Sequence, residues 1–300
     1  MPEVVSTMNE LSDRLQSWMA SGRFARVGET EVWYRVDGEG PWLVCLHGFP
    51  TSSRDWMWLL PLLSGHYRIL IFDFPGYGLS EKDPARDFSL LRQCDVLAGL
   101  CASLGIEDFH LLAHDMGNSV ACELLYRIEQ AETSLNLRSV TLLNGGVYMD
   151  LHQPLPTQRL LRSPILGPLT ARLSSYRVFR HQYPRVYAQP EDFDEGHYQE
   201  QWQLMRYRGG RKILARIAGY MKERERMGER WTGPLERLRI PLQLIWGWDD
   251  TIAVAEIARR VSRRNPRAQV VELHSVGHYP QLEAPERTAA SVVRFIQSTD

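Results

Sequence analysis

Asp115, Asp250 and His278 each follow a short apolar run, in the order carboxylate, carboxylate, imidazole along the 300-residue chain. The segment Phe109-His110-Leu111-Leu112-Ala113-His114-Asp115-Met116-Gly117-Asn118-Ser119 passes from an apolar strand through Asp115 into a helix. A turn this sharp needs small residues two positions before and after its central residue. Ala113 and Gly117 supply them. Taken alone, an Asp ahead of a helix reads as an N-cap. Three further segments change that reading. His47-Gly48-Phe49-Pro50 follows the first buried strand, at the carboxyl edge where α/β sheets bind ligands. The backbone N–H of Phe49, with that of Met116, would form an oxyanion hole. Trp246-Gly247-Trp248-Asp249-Asp250 ends a later strand with an acid, and Val276-Gly277-His278-Tyr279-Pro280 follows the last strand with an imidazole. Four such segments at strand ends, in this order, imply a nucleophile, an acid and a histidine.

A carboxylate nucleophile selects its reaction. Attack on an ester would give an anhydride, whereas attack on an sp³ carbon bearing a leaving group gives a stable alkyl ester. Epoxides and alkyl halides are therefore the expected substrates. Asp115 needs no activating base, since an unperturbed Asp with a pKa of about 3.9 is ionised at neutral pH. His278 would then deprotonate a water that attacks the Asp115 ester. Asp250 would hold the imidazole in one tautomer and stabilise imidazolium. The scheme uses a small apolar organic substrate and water, with no metal or organic cofactor.

The elements that must position these groups are legible as an alternation. Apolar runs at 42–46, 69–72, 109–113 and 140–143 alternate with helical patterns at 54–63, 88–104 and after Gly117. The pattern resumes with runs at 242–246 and 270–273, a helix from Ala253 and a last helix from Pro285. Continuous apolar runs alternating with helices indicate buried parallel strands in an α/β fold. Two shorter strands, 24–27 and 31–36, precede them, with Asp37-Gly38 as turn punctuation. Between Asn144-Gly145-Gly146 and Gly233 the apolar runs stop, and helical patches rich in Arg, Tyr, Pro and Gln take their place. The division is an N-terminal amphipathic helix over 1–22, an α/β core over 23–145 and 234–300, and a helical cap over 146–233. The first helix places Val4, Met8, Leu11, Leu15 and Trp18 on one face, which packs on the domain or on a second subunit to make a homodimer.

A formal net charge of −1 provides no global field for nucleic acid or for an acidic membrane. No apolar run is long enough to span a bilayer. The acidic start lacks the apolar stretch of a secretory signal. Cys45, Cys94, Cys101 and Cys122 lie in apolar segments without a C-x-x-C pair, as expected of reduced core residues in a cytoplasmic protein. Residues 222–230 alternate in sign and read as a solvated face.

Along nearly its whole length the sequence resembles the α/β-hydrolase superfamily. Asp73-Phe74-Pro75-Gly76-Tyr77-Gly78-Leu79-Ser80 and Gly277-His278-Tyr279-Pro280-Gln281-Leu282-Glu283 match that family's loops. His114-Asp115-Met116-Gly117 and His47-Gly48-Phe49-Pro50 look like the branch of epoxide hydrolases and haloalkane dehalogenases. Thr51-Ser52-Ser53, Leu143-Asn144-Gly145-Gly146 and the basic stretch before Trp231 are similar to the mesoderm-specific-transcript-like hydrolases. The resemblance places the acid at Asp250, third after Gly247, and leaves Asp249 as a turn residue. His274, outside the Gly-x-x-Pro loop, is read as structural, and Asp73 and Ser80 belong to a turn.

Dehalogenases of this branch hold the halide with N–H donors next to the nucleophile, whereas Met116 and Phe49 donate none from their side chains. Epoxide hydrolases use two cap tyrosines. Tyr220 stands where the second falls and shares a face with Ile213 and Ile217, so Tyr220, with His47 and Phe49, is expected to contact substrate. The first would fall between Leu160 and Ser163, where there is no Tyr; Tyr148, Tyr176, Tyr183 and Tyr187 are substitutes. The expectation is a hydrolase acting through an aspartyl ester on a small apolar epoxide. A dehalogenase or other hydrolase of this fold is the alternative within the class, and a non-catalytic binding protein the alternative outside it.

Overall fold

The computed structural model describes residues 11–299. Eight strands form one sheet in the order β1-β2-β4-β3-β5-β6-β7-β8. They are β1 (Arg23–Val27), β2 (Thr30–Asp37), β3 (Trp42–Leu46), β4 (Arg68–Phe72), β5 (Asp108–Ala113), β6 (Asn136–Leu143), β7 (Leu242–Gly247) and β8 (Gln269–Leu273). β1 and β2 join antiparallel, and β3 to β8 run parallel to one another with β4.

The central strands are apolar throughout because helices cover both faces. Val44 and Leu46 of β3 point to the side packed by α2 (Leu90–Ser103), α3 (Met116–Glu129) and a later helix carrying Ile257 and Val261. Leu43 and Cys45 point to the other side, against Leu15 and Phe295. Leu15 belongs to α1 (Asp13–Ala20), whose first turn is capped by the Ser12 hydroxyl accepting from the Leu15 N–H. Val4 and Met8 of the expected N-terminal face lie outside the described residues, while Leu11, Leu15 and Trp18 are buried on the sheet. The pattern over 54–63 folds as a 3₁₀ turn, Ser53–Trp56, and a short helix, Leu60–Leu63, rather than as one helix.

Between β6 and β7 the chain leaves the sheet. It forms α4 (Pro156–Leu161), α5 (Leu166–Leu173), α6 (Tyr176–Gln182), α7 (Glu195–Arg206) and α8 (Tyr220–Glu236). α8 lies along α3, the helix that begins at Asp115. It brings Tyr220 and Arg224, one turn apart, over that helix start. After β7 come α9 (Glu256–Arg264) and, at the end, α10 (Pro285–Gln297). Asp73 and Ser80 hold the turn after β4: Asp73 accepts from the N–H groups of Ser53 and Leu79, and Ser80 donates to the Asp73 carbonyl. All four cysteines are buried and unpaired by disulfides. No helix among the described residues is long and apolar enough to cross a membrane.

Candidate active site

Asp115 sits at the end of β5 with φ 46° and ψ −107°, a backbone conformation that an Asp does not adopt without cost. Such a residue costs on the order of 1–3 kcal/mol and persists only when its surroundings fix it. Here the Asp115 N–H donates to the Asn144 carbonyl at 2.9 Å, and the Gly117 N–H donates to the His114 carbonyl at 2.8 Å. The turn is packed so closely that a Cβ on Gly117 would lie 2.5 Å from the Leu46 carbonyl oxygen. One on Gly48 would lie 2.7 Å from the Asp115 Cβ.

The Asp115 carboxylate makes no capping bond to its helix. Its Oδ2 instead accepts from the Phe49 N–H at 2.9 Å, and its Oδ1 lies 3.5 Å from the Arg224 Nη2. The Met116 N–H opens α3, where the helix itself supplies no acceptor. Burial alone would raise the Asp115 pKa; the charges of Arg224 and then His278 outweigh it and hold the carboxyl below its usual range.

The imidazole of His278 gives Nδ1 to Asp250 Oδ2 at 2.7 Å, which leaves Nε2 outside that bond. Asp250 Oδ1 accepts from the N–H groups of Ile252 and Ala253, and Oδ2 from Asn144 Nδ2 at 2.8 Å. Asn144 also exchanges two bonds with the Gly247 backbone, 3.0 and 2.6 Å, so it ties the ends of β6 and β7 to the acid. Burial lowers the His278 pKa, but the charge and hydrogen bond of Asp250, with the charge of Asp115, raise it to about 8. The His114 ring, 5.0 Å from that of His278, bonds through Nε2 to the His278 carbonyl. Asp249 is exposed and His274 lies at the surface beside Glu272, neither near these groups.

Tyr220 is buried, its hydroxyl has no hydrogen-bond partner, and its ring packs 5.3 Å from that of Phe49. Burial, then the Asp115 charge, pushes its pKa up, so the hydroxyl stays a donor. His47 corrects the expectation of a substrate contact. Nδ1 bonds to the Gly48 carbonyl and Nε2 accepts from the Phe74 N–H, so both ring nitrogens are spent on shaping the loop before Phe49. Among the substitutes for a first cap tyrosine, Tyr148 is bonded to Glu236, Tyr176 to Glu195 and Tyr187 to His197. Tyr183 lines a cavity of about 400 Å³ with Phe49, Leu161, Trp202, Ile252 and His278. Asp115, 3% exposed, does not line that cavity. A larger groove of about 810 Å³ between α1 and the α7 region touches none of these groups.

Arg224 was hidden in the alternating charges of 222–230, and it corrects the reading of that stretch as a solvated face. Its guanidinium is 2% exposed. Nε donates to Ser119 Oγ at 2.6 Å and Nη2 to the Asp115 carbonyl at 2.7 Å, while Nη1 has no partner. Its Cζ lies 4.6 Å from the Tyr220 ring centre. The available signal was its spacing, four residues after Tyr220. His152 is also buried, with both ring nitrogens unpartnered, and burial followed by the Arg224 charge lowers its pKa to about 4.

An eight-stranded, mostly parallel sheet whose strand ends carry this carboxylate and imidazole defines a hydrolase class, and residues 43–291 match the model of the alpha/beta hydrolase family. The chain belongs to that family. It is 35% identical over 286 residues to the "Putative hydrolase LipZ" of Mycobacterium tuberculosis, covering 95% of this chain and 99% of that one. It is 33% identical to the human mesoderm-specific transcript homolog protein, covering 96% and 90% of the two chains. Among solved structures, haloalkane dehalogenase DbeA from Bradyrhizobium elkani superposes with a TM-score of 0.78 at 24% identity, covering 93% of this chain and 98% of that one. Epoxide hydrolase CorEH superposes at 0.76 and 19%, covering 93% and 99%.

Proposed function

We propose that this hydrolase works through a covalent ester on Asp115 and opens small apolar epoxides. The observation that carries the reading is the strained Asp115 whose carboxylate leaves its own helix uncapped and meets the Phe49 N–H and Arg224 instead. An N-cap would bond to its own first turn.

In the first half-reaction an Asp115 oxygen bonds to a ring carbon as that carbon's bond to the epoxide oxygen breaks. Negative charge moves from the carboxylate to the released oxygen. The Tyr220 hydroxyl, buried without a partner, is the donor for it, and Arg224 provides a fixed positive charge beside the transfer. In the second half, His278 Nε2 takes a proton from water, and the hydroxide bonds to the ester carbonyl carbon. The N–H groups of Phe49 and Met116 hold the oxyanion. Collapse breaks the bond to the alkyl oxygen, which takes the proton from His278 and leaves as the diol; the acid gives its own proton back to Tyr220 and is restored as a carboxylate, one of whose oxygens comes from water.

The change of charge also switches His278. With Asp115 ionised the imidazole is held protonated near neutrality. Esterification removes that negative charge and leaves the larger contributions of Asp250, so the imidazole gives up its proton more readily once the ester exists. Dehalogenation is the second reading, and the unpartnered Arg224 Nη1 supports it as a cation for a departing halide.

The test replaces His278 with Gln, incubates the protein with epoxides and haloalkanes, and weighs the Asp115 peptide. A gain equal to the whole epoxide supports ring opening, whereas a gain equal to the haloalkane less hydrogen halide supports dehalogenation. No adduct across a broad panel, with the native protein inactive, sinks both in favour of a binding protein that keeps the fold.

A further inference from the structure

The outer face of the cap has a composition unlike the rest of the chain. Six of the eight large hydrophobic side chains that stand exposed among the described residues lie between positions 160 and 178. They are Leu160, Ile165, Leu166, Leu169, Leu173 and Val178, with Ile165 83% and Leu173 67% exposed. A surface helix ordinarily turns its apolar stripe inward. α5 does the reverse: Leu166, Leu169 and Leu173 face out, while Gly167 and Ala171 are its buried residues. Gly167 packs so closely that an added Cβ would lie 2.3 Å from the Leu161 carbonyl oxygen, which fixes the helix with its leucines outward. A contiguous apolar patch of this kind marks an interaction site.

Charge identifies the occupant. Residues 151–190 contain six arginines and no Asp, Glu or Lys, in a chain whose net charge is −1. Arg162 and Arg180 pair with Glu225 and Glu195 from outside the segment. Arg159, Arg172, Arg177 and Arg185 are exposed, with no acidic partner among the described residues. An apolar helix face rimmed by free arginines suits the interface of an anionic bilayer, where leucines enter the acyl boundary and guanidinium groups meet lipid phosphates. A second copy of the chain suits it poorly, because a twofold contact sets the same cations against each other with no acid between them. The patch is also continuous with the cavity: Leu160, Leu173 and Val178 line the same space as Phe49 and His278.

We propose that the α4–α6 face of the cap docks on an anionic lipid surface, and that apolar substrate passes from the bilayer along these side chains into the cavity. The docking goes beyond the reaction proposed at Asp115 and is independent of it; the passage of apolar substrate rests on that reading.

The experiment is flotation of the full chain with vesicles of phosphatidylcholine alone and of phosphatidylcholine with phosphatidylserine. Two variants accompany it, Ile165→Asp/Leu169→Asp and Arg159→Gln/Arg172→Gln/Arg177→Gln, their folding checked by circular dichroism and thermal unfolding. Ile165 and Leu169 do not line the cavity, and Ile165 is the most exposed of the six. Wild type is expected to float with phosphatidylserine vesicles and much less with phosphatidylcholine. The aspartates should lower the partition coefficient at least about tenfold. The glutamines should lower it by roughly fivefold per cation on phosphatidylserine, an effect that high salt should mimic in the wild type. Absence of wild-type flotation, or binding unchanged in both folded variants, overturns the proposal. So does a dimer in sedimentation velocity that the aspartate pair dissolves, which would assign the patch to a second copy. Adduct formation at Asp115 with a freely dissolved epoxide is read separately, so either proposal can fail alone.

Discussion

Replacing Arg224 with Met removes the cation beside Asp115 and leaves a fully enclosed carboxylate with only the weaker charge of His278 to offset it. At 3.5 Å, and with the effective dielectric near 20 that suits such pairs, the attraction is about 5 kcal/mol. Breaking one side of a buried pair costs on the order of 3–5 kcal/mol, in agreement. Part of that loss belongs to the guanidinium bond on the Asp115 carbonyl, 2.7 Å, which is worth about 1.5–3 kcal/mol for a charged donor. That part survives when the carboxylate is neutralised. In an Asp115→Asn background the Arg224→Met cost should therefore fall to about 1.5–3 kcal/mol, giving a coupling of about 2 kcal/mol. Urea unfolding of the four proteins in the cycle measures it directly. The single Arg224→Met protein should also need a higher pH before adduct forms, because the Asp115 pKa rises when its largest favourable charge is removed. A coupling under about 0.5 kcal/mol, the usual error of additivity, would exclude a charge pair between the two side chains. It would mean that the guanidinium supports only the backbone of the turn.

Three further outcomes follow from the same geometry. Hydrolysis of the Asp115 ester should speed up as pH rises and level off below pH 8, since His278 is at about 8 only while Asp115 carries charge; quenched single-turnover experiments in which the plateau begins above pH 8 would contradict the switch. Tyr220→Phe should slow epoxide alkylation by roughly a hundredfold, the scale of general-acid assistance, and leave breakdown of the ester unchanged; equal alkylation rates would remove Tyr220 from the reaction. Asp55 is buried with Thr51 and Gln201 as hydrogen-bond partners, and burial raises its pKa to about 7. A folded pKa above the unfolded one means that stability is lost as pH climbs from the unfolded value to 7. Asp55→Asn should accordingly raise the melting temperature at pH 8 more than at pH 5, and an equal effect at both would rule out a raised pKa at Asp55.

Several parts of the molecule were legible because one local rule sufficed. Continuous apolar runs such as Leu43-Val44-Cys45-Leu46 meant strands covered on both faces, and the sheet contains them. The segment around Asp115 was ambiguous by itself, because capping and nucleophilic roles need the same residue in the same place. The backbone angle and the direction of the carboxylate show that it does not cap its helix. Arg224 was obscured because charge alternation is the pattern of a solvated helix, and burial of one member depends on α8 lying along α3. His47 misled for the opposite reason: its position beside the sheet edge suggested the pocket, while its hydrogen bonds serve Phe74 and Gly48. The outward leucines of α5 follow the right periodicity for a core-facing helix. Their direction was set by which face carried Gly167 and Ala171, a packing choice that periodicity does not encode.

Asn144 gives the molecule a clamp at the point where the chain departs for the cap and returns. Because its amide joins the last residues before the excursion to Gly247 and Asp250 just after it, the imidazole and its acid form a unit anchored on the sheet. The insertion meets the same joint from its other side, because the His278 N–H donates to the Val186 carbonyl at 2.8 Å, so the sheet and the excursion together fix where the imidazole stands.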